Sequence, residues 1–304
     1  MNLILIAALI GLSASSPSKL PEAGPPVSPA HAARVRLMLQ NDGTAGLVDA
    51  ALKRLREDAM RAAAESRHEP ALTADETLRF DRVSKPVLVR LERTFTDEWA
   101  QYYAALSDAE IDDLIRVNDT PLGRRFIARM VQSEEPFEIT SSTYATETAA
   151  AISLAYADNA SYAPKGSARN ADAPEDRLLI ETGNAAMTDE AIDSYLRLTV
   201  ASRITGVDFD RLSDSDRARL LTIYGDGLRD LGHRMKALRS DQLRDAFSQS
   251  ELKQLVALYA LPALQTKTRI ALAAVPDGRK HNFAAWKAAF DEILAAFAGK
   301  PQDN

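Results

Sequence analysis

Apolar residues recur along most of the chain at spacings of three and four positions, which is the period of an amphipathic α-helix. One such stripe contains Ile111 and Leu114, and another contains Leu252 and Leu255. Long stretches rich in Ala, Leu, Arg, Asp and Glu contain almost no Pro or Gly, and such stretches favour helix. Convincing alternating strands are lacking. The pattern therefore predicts an all-α protein, arranged as a multi-helix bundle or as a helical repeat.

Several helix starts are marked by a Ser or Thr followed three positions later by an acid. In this arrangement the hydroxyl accepts a backbone N–H of the first turn, and the acid reaches back to the N–H of the capping residue. The segments with this pattern are Thr73 to Glu76, Ser107 to Glu110, Ser213 to Asp216 and Ser248 to Glu251. We expect a helix to begin at each of them.

Two of these starts lie 141 positions apart, and the sequences around them align without a gap. The identical pairs at this offset are Ala105/Ala246, Ser107/Ser248, Glu110/Glu251, Leu114/Leu255 and Pro121/Pro262. The earlier starts, Thr73 and Ser213, lie 140 apart, which implies one single-residue insertion or deletion between the two aligned blocks. Helicity alone does not demand a shared proline and a common offset. We therefore expect an internal duplication of roughly 40–135 and 184–275.

The duplication suggests two related helical modules along the chain. The segment from Asp158 to Arg177 is polar and contains two prolines and a glycine, which favours a linker. We expect the chain to divide in the following order: a signal peptide over 1–15, a Pro-rich disordered segment over 16–33, a first module over 34–157, the linker over 158–177, a second module over 178–298 and a tail over 299–304.

The chain begins with an apolar run of about ten residues, Leu3 to Leu12, followed by small residues and a Pro-rich stretch. This run is well short of the roughly 20 residues that a permanent membrane anchor needs. Ser13 and Ser15 suit cleavage after Ser15, and Ala30-His31-Ala32 offers a more distant site. We expect a periplasmic or secreted bacterial protein with no stable transmembrane anchor after processing.

The amino-acid composition limits the partners and the kinds of site that the chain can have. Its 304 residues include 37 Lys and Arg against 43 Asp and Glu, which gives a net charge of −6, and the two signs are interleaved. Nucleic acid is therefore not an expected partner. The chain has 0 cysteines, which excludes thiolate nucleophiles, disulfides and thiolate zinc sites.

The duplicated motif has a structural interpretation. Ser107 with Glu110, and Ser248 with Glu251, are helix caps. Pro121 and Pro262 suit the first turn of the following helix, where a missing N–H has no intrahelical partner to lose. Gly123 would permit a close helix approach, and Arg124 could bind an anion or project into water.

The same motif resembles a pattern in a family of exported bacterial proteins, the domain of unknown function 2059. The matching residues in the first copy are Ser107, Glu110, Ile111, Leu114, Thr120, Pro121, Gly123 and Arg124. Those in the second copy are Ser248, Glu251, Leu252, Leu255, Tyr259 and Pro262. Val117 and Asn118 replace the usual aromatic pair, and Leu264 and Gln265 replace the glycine and the base of the second copy. The resemblance covers roughly 50–60 residues of each half. It implies a small all-helical exported module of unknown activity and supplies no catalytic residue.

Other chemical signatures are weak. None of His31, His68, His233 and His281 has a second histidine at helical spacing, so no metal site and no cofactor are predicted. The acids Asp208, Asp210, Asp214 and Asp216 lack EF-hand spacing. Gly225, Gly227 and Gly232 do not form a nucleotide-binding motif, and we interpret them as helix contacts.

Two aromatic groups remain. Trp99, Tyr102 and Tyr103 lie on one short predicted helix. Phe283, Trp286, Phe290 and Phe297 form a stripe on the last helix, which also contains Ile293 and Leu294. Rings at such spacing usually face a core, and the last stripe is also a possible partner surface for a protein or an apolar ligand.

The sequence thus favours a non-catalytic binding or structural module of the bacterial cell envelope, with an unknown protein or apolar ligand as its partner. Two alternatives stay open. One is an envelope hydrolase that uses acidic residues such as Glu110 and Glu251, and the other is a carrier of an apolar ligand.

Overall fold

The computed structural model describes residues 28–166, 172–186, 188, 189 and 213–298. Within these ranges the regular elements are all helices, so the expected all-α class is confirmed. In chain order they are α1 (Pro29–Asn41), α2 (Thr44–Glu65), α3 (Ala74–Tyr103), α4 (Asp108–Asn118), α5 (Pro121–Gln132), α6 (Glu134–Ala157), α7 (Pro174–Glu181), α8 (Asp214–Ala246), α9 (Gln249–Tyr259) and α10 (Pro262–Ala298).

The capping pattern read from the sequence marks real helix starts. Thr73, Ser107 and Ser248 each accept the N–H of a glutamate three residues on, and that glutamate accepts the N–H of the cap. Ser213 accepts the N–H of Asp216 at the start of α8. These local contacts satisfy backbone donors that the first turn of a helix leaves unpaired. They fix where α3, α4, α8 and α9 begin.

The Pro-rich segment expected to be disordered over 16–33 is helical at its end. Pro29 takes the first position of α1, and the hydroxyl of Ser28 accepts the N–H of His31 at 3.2 Å. Proline is well suited to this position because its fixed φ matches the helix and its missing N–H has no intrahelical partner. The earlier residues lie outside the described ranges, and so does the expected signal peptide.

The expected linker over 158–177 contacts α8 at its start and is helical at its end. Tyr162 is buried and donates its hydroxyl proton to Asp230 of α8 at 2.7 Å, and the backbone N–H of Lys165 donates to the same carboxylate at 2.8 Å. At the other end, α7 begins at Pro174. The first part of the segment is therefore held against α8, and residues 167–171 lie outside the described ranges.

Two long helix pairs organise the packing. α3 packs along α10, and α8 packs along α6. Two shorter pairs flank them, because α1 packs on α4 and α7 packs on α9. The larger apolar core includes α1 to α5, α9 and α10, and a smaller core lies between α6 and α8.

Trp99 and Tyr103 belong to the larger core. They lie in the last turns of the 30-residue helix α3, rather than on a short helix as expected, and their rings stack at 5.6 Å between centroids. Both are at most 5% exposed. Their expected core role is confirmed.

None of the helices in the described ranges is both long enough and apolar enough to cross a membrane. The apolar run from Leu3 to Leu12 is outside those ranges.

Candidate functional site

The motif residues Ser107 and Glu110 form a reciprocal cap at the start of α4. The hydroxyl of Ser107 accepts the Glu110 N–H at 3.3 Å, and the Glu110 carboxylate accepts the Ser107 N–H at 2.8 Å. Ser248 and Glu251 repeat these contacts at the start of α9, at 3.3 and 2.9 Å. The local geometry therefore supports the helix-capping role that we expect for these four residues.

Both glutamates also interact with the other half of the chain. Glu251 accepts a hydrogen bond from Arg125 of α5 at 2.5 Å, and Thr266 and Arg269 of α10 help to lower the pKa of Glu110. The Ser248 backbone bond, followed by Arg125, lowers the pKa of Glu251 to about 2. The Ser107 backbone bond likewise lowers the pKa of Glu110. Both carboxylates are thus ionised acceptors that cannot supply a proton near neutral pH.

The remaining motif residues shape the next helix. Pro121 and Pro262 begin α5 and α10. A Cβ at Gly123 would lie 2.3 Å from the Val117 carbonyl oxygen, so the first turn of α5 needs glycine to approach the end of α4. The side chain of Arg124 is 71% exposed and its guanidinium is 3.6 Å from Asp119, so its geometry leaves both expected roles open.

A buried ion pair, which sequence reasoning missed, joins the two halves. Lys267 of α10 donates to Asp42, the residue after α1, and both side chains are 2% exposed. Asp42 also accepts the Thr44 N–H at 2.8 Å, and the Lys267 ammonium lies 5.3 Å from the centroid of the Tyr103 ring. Burial of an acid and a base together is tolerated because each satisfies the other and its polar neighbours.

Asn118 and Tyr259 meet beside this pair. The Tyr259 hydroxyl donates to the Asn118 side-chain oxygen at 2.9 Å, and both residues are buried. Burial, followed by the charge of Asp42, raises the pKa of Tyr259, which keeps the phenol neutral and a donor. A cavity of about 40 Å³ lies among Asn118, Tyr259, Asp42 and Lys267. This volume suits an ordered water rather than an organic ligand.

One feature of the sequence could have revealed this centre. Lys267 stands 141 positions after Phe126, which is a buried aromatic residue of α5. A lysine at the phase of a core residue predicts a buried cation, and a buried cation requires an acidic partner. The identity of that partner, 225 positions away, has no local signature.

A second buried ion pair lies between α6 and α8. Arg239 donates to Glu134 at 2.6 Å, both side chains are at most 4% exposed, and the guanidinium carbon lies 3.6 Å from the centroid of the Phe137 ring. Near the middle of α8, Asp230 accepts from Tyr162, whose pKa is raised to about 12 by burial and then by that hydrogen bond. These polar groups are paired with one another inside the smaller interface.

The aromatic stripe of α10 faces the protein core. Phe297 is 2% exposed and its ring meets Phe80 at 5.3 Å, so at this residue the stripe faces the core rather than an open partner surface. Trp286 and Phe290 are half-buried against the core and stack on each other at 5.5 Å. The Phe283 side chain lies outside the described part. The stripe is apolar because it packs along α3.

The other sequence candidates remain apart. No group of three or more potential ligands that could hold a metal occurs in the described ranges. Asp214 and Asp216 lie in the first turn of α8, and Asp208 and Asp210 lie outside those ranges. A Cβ at Gly227 would lie 2.6 Å from Ile152, which confirms a helix contact there, but a Cβ at Gly225 would meet nothing within 4 Å.

An open groove of about 450 Å³ lies on α3 beside α1. It is lined by charged residues that include Arg36, Glu92, Arg93 and Asp97, and neither Glu110 nor Glu251 lines it. Burial raises the pKa of Glu98, the property that a general acid needs, but Glu98 accepts from Tyr102 at 3.0 Å and does not line this groove either. None of the three acids with a shifted pKa described above, Glu98, Glu110 and Glu251, therefore lines the groove.

Comparisons with known proteins give no relative: no family model, no curated protein and no solved structure matches this chain.

Proposed function

We propose that the protein is an exported, non-catalytic helical module of the bacterial cell envelope, made of two copies of one unit, which acts by binding a partner or as a structural component. The observation that carries the proposal is the engagement of both motif carboxylates. Glu110 and Glu251 are helix caps, Glu251 also accepts a hydrogen bond from Arg125 of the other half, and each has a lowered pKa. A hydrolase would need one of two catalytic carboxyls to be protonated and facing a cleft.

The duplication rests on matched geometry. Positions 108–118 form α4 and positions 249–259 form α9, so the two helices have the same length at an offset of 141. The resemblance to the domain of unknown function 2059 belongs to the same proposal and is supported by these caps. The apolar start from Leu3 to Leu12 supports export. The carrier alternative is not favoured, because Trp286, Phe290 and Phe297 pack against the protein core.

Two glutamine variants test the absence of catalysis. Glu110→Gln and Glu251→Gln should lower the melting temperature and should not change the release of fragments from purified peptidoglycan. Ser107→Ala and Ser248→Ala, as matched cap variants, should each cost about 1 kcal/mol of unfolding free energy. Loss of a hydrolytic activity in Glu110→Gln at an unchanged melting temperature would contradict the proposal.

Export is tested separately by cell fractionation and the intact mass of the released chain. We expect a mature protein that begins at Ser16 in the periplasmic or extracellular fraction. Leu9→Arg, which interrupts the apolar run, is the matched control and should leave the full-length chain in the cytoplasm. Full-length wild-type chain found only in the cytoplasm would contradict export.

A further inference from the structure

The long helices α3 and α8 bury residues at matching positions. Six buried residues of α3 have a buried residue of α8 at an offset of 140. The pairs are Phe80/Leu220, Val87/Gly227, Leu91/Leu231, Phe95/Met235, Trp99/Arg239 and Tyr103/Leu243. Because the side chains differ in five of the six pairs while the buried phase is kept, the two helices occupy equivalent places in their halves.

Each long helix packs along the closing helix of the opposite half. The first half ends in α6, which packs along α8, and the second half ends in α10, which packs along α3. The contacts correspond in detail. Arg79 lies over the Phe297 ring and Arg219 lies over the Tyr156 ring, both at 4.5 Å. These two arginines are 140 positions apart and the two rings are 141 apart.

Shorter contacts between the halves are also reciprocal. Arg125 donates a hydrogen bond to Glu251. Thr266, which is 141 positions after Arg125, lies near Glu110, which is 141 positions before Glu251. In an isologous interface, residue i of one copy contacts j of the other, and j contacts i in return. A residue on the two-fold axis contacts its own equivalent. Asn118 and Tyr259 are 141 positions apart and bond to each other.

We propose that the two halves form an isologous pair, related by a pseudo-two-fold axis at Asn118 and Tyr259, in which each half lends its closing helix to the long helix of the other. The apolar faces of α3 and α8 are then interaction surfaces whose partner is the closing helix of a second copy of the same unit. This inference rests on the duplication in the proposed function, and it adds the kind of partner that the unit binds.

The charges across both pairs support the assignment and provide sites for a test. On the α3–α10 side, Arg90 donates to Glu292 at 2.5 Å, and on the α8–α6 side, Arg234 donates to Glu147 at 2.8 Å. Each pair joins the two halves. Arg54 of α2 pairs with Glu138 of α6 within the first half and provides a matched control.

Cysteine crosslinking of the full chain tests the exchange, because a chain with 0 cysteines gives no background reaction. A protease site is inserted within 167–171, and three double variants are made: Arg90→Cys with Glu292→Cys, Glu147→Cys with Arg234→Cys, and Arg54→Cys with Glu138→Cys. A bismaleimide is applied to the native protein, the inserted site is cut, and the fragments are separated by denaturing electrophoresis.

We expect the first two variants to give fragments that are covalently joined, and the third to give two separate fragments with a crosslink inside the first. A separate measurement needs no cysteine: the cut wild-type chain should elute from size exclusion at its intact size. Separate fragments from either of the first two variants, while the third crosslinks, would overturn the exchange, and so would dissociation of the cut chain. These outcomes leave the export and hydrolysis tests untouched, so a failure here is distinguishable from a failure of the proposed function.

Discussion

The two long helix pairs have corresponding arrangements, but different kinds of side chain fill their interfaces. Where α3 meets α10, aromatic rings fill the interface, with Phe80 against Phe297 and a stacked Trp286 and Phe290 close by. Where α8 meets α6, the Ile152 side chain packs closely on Gly227, and a buried Arg239–Glu134 pair lies further along the same helix pair. The property that the two interfaces share is therefore the phase of the buried positions, and the side chains that fill these positions differ in chemistry.

This difference matters for stability. Buried aromatic rings stabilise through the apolar area that they remove from water. A buried ion pair contributes little on balance, because desolvation offsets most of the attraction, but removing one partner is strongly destabilising. The aromatic interface should thus be sensitive to the loss of volume, and the polar interface to the loss of a partner or to added volume.

The largest effect is expected from Phe297→Ala at the aromatic interface. Phe297 is 2% exposed, and truncation of a buried phenylalanine costs about 4 kcal/mol. Tyr156→Ala, at the matched position, should cost less because Tyr156 is only partly buried. Urea unfolding measures the loss of unfolding free energy for both variants. An equal loss for Tyr156→Ala would contradict the expected difference between the two interfaces.

Arg239→Met tests the polar interface. Methionine keeps much of the packing volume but leaves the Glu134 carboxylate buried without its cation, so we expect a loss of about 3 kcal/mol. Adding Glu134→Gln to this variant removes the unpaired charge and should recover most of that loss. Urea unfolding measures the stability of the two variants. If the double variant is no more stable than Arg239→Met, the unpaired charge of Glu134 is not the cause of the loss.

Two glycines of α8 form a matched test of close approach. At Gly227, overpacking against Ile152 should outweigh the gain of about 1 kcal/mol from alanine in a helix, leaving a net loss of about 1 kcal/mol. At Gly225, where an added Cβ meets nothing within 4 Å, alanine should stabilise by about 1 kcal/mol. Thermal unfolding of Gly227→Ala and Gly225→Ala compares the two sites. Stabilisation by both substitutions would contradict a requirement for glycine against Ile152.

The smallest effect concerns the pH dependence of the junction between the halves. The pKa of Glu251 is lowered from its ordinary value of 4.5 to about 2, so its stabilisation is present above pH 4.5 and is lost as the pH falls through about 2. Wild type should melt above Glu251→Gln at neutral pH, and the gap should close over this acidic range. A gap that closes only well above pH 4.5 would show that another group controls it.

Local features of the fold could be predicted from the sequence. The capping residues Ser107 and Ser248 placed the starts of α4 and α9 correctly, because a cap is satisfied within its own first turn. The apolar period likewise predicted that Trp99 and Tyr103 are buried. Both properties depend on neighbours a few positions away.

The partners of these helices could not be predicted in the same way. The stripe that contains Phe297 indicated a buried face, but the period of a helix does not say which surface covers it. The buried centre was missed for the same reason, since Asp42 and Lys267 are far apart in the chain and neither has a spacing that points to the other. Such contacts are fixed by tertiary packing.

The bond between Arg79 and the Phe297 carbonyl joins positions 218 apart, and this has a consequence for the order of folding during synthesis. α3 is made early, but the helix that covers it is the last one described in the chain. α6 likewise waits for α8. Contacts between distant positions form late and leave apolar surface open in the meantime. A chain emerging from its N-terminus therefore cannot complete the first half before α10 has appeared, and it stays incompletely folded until then.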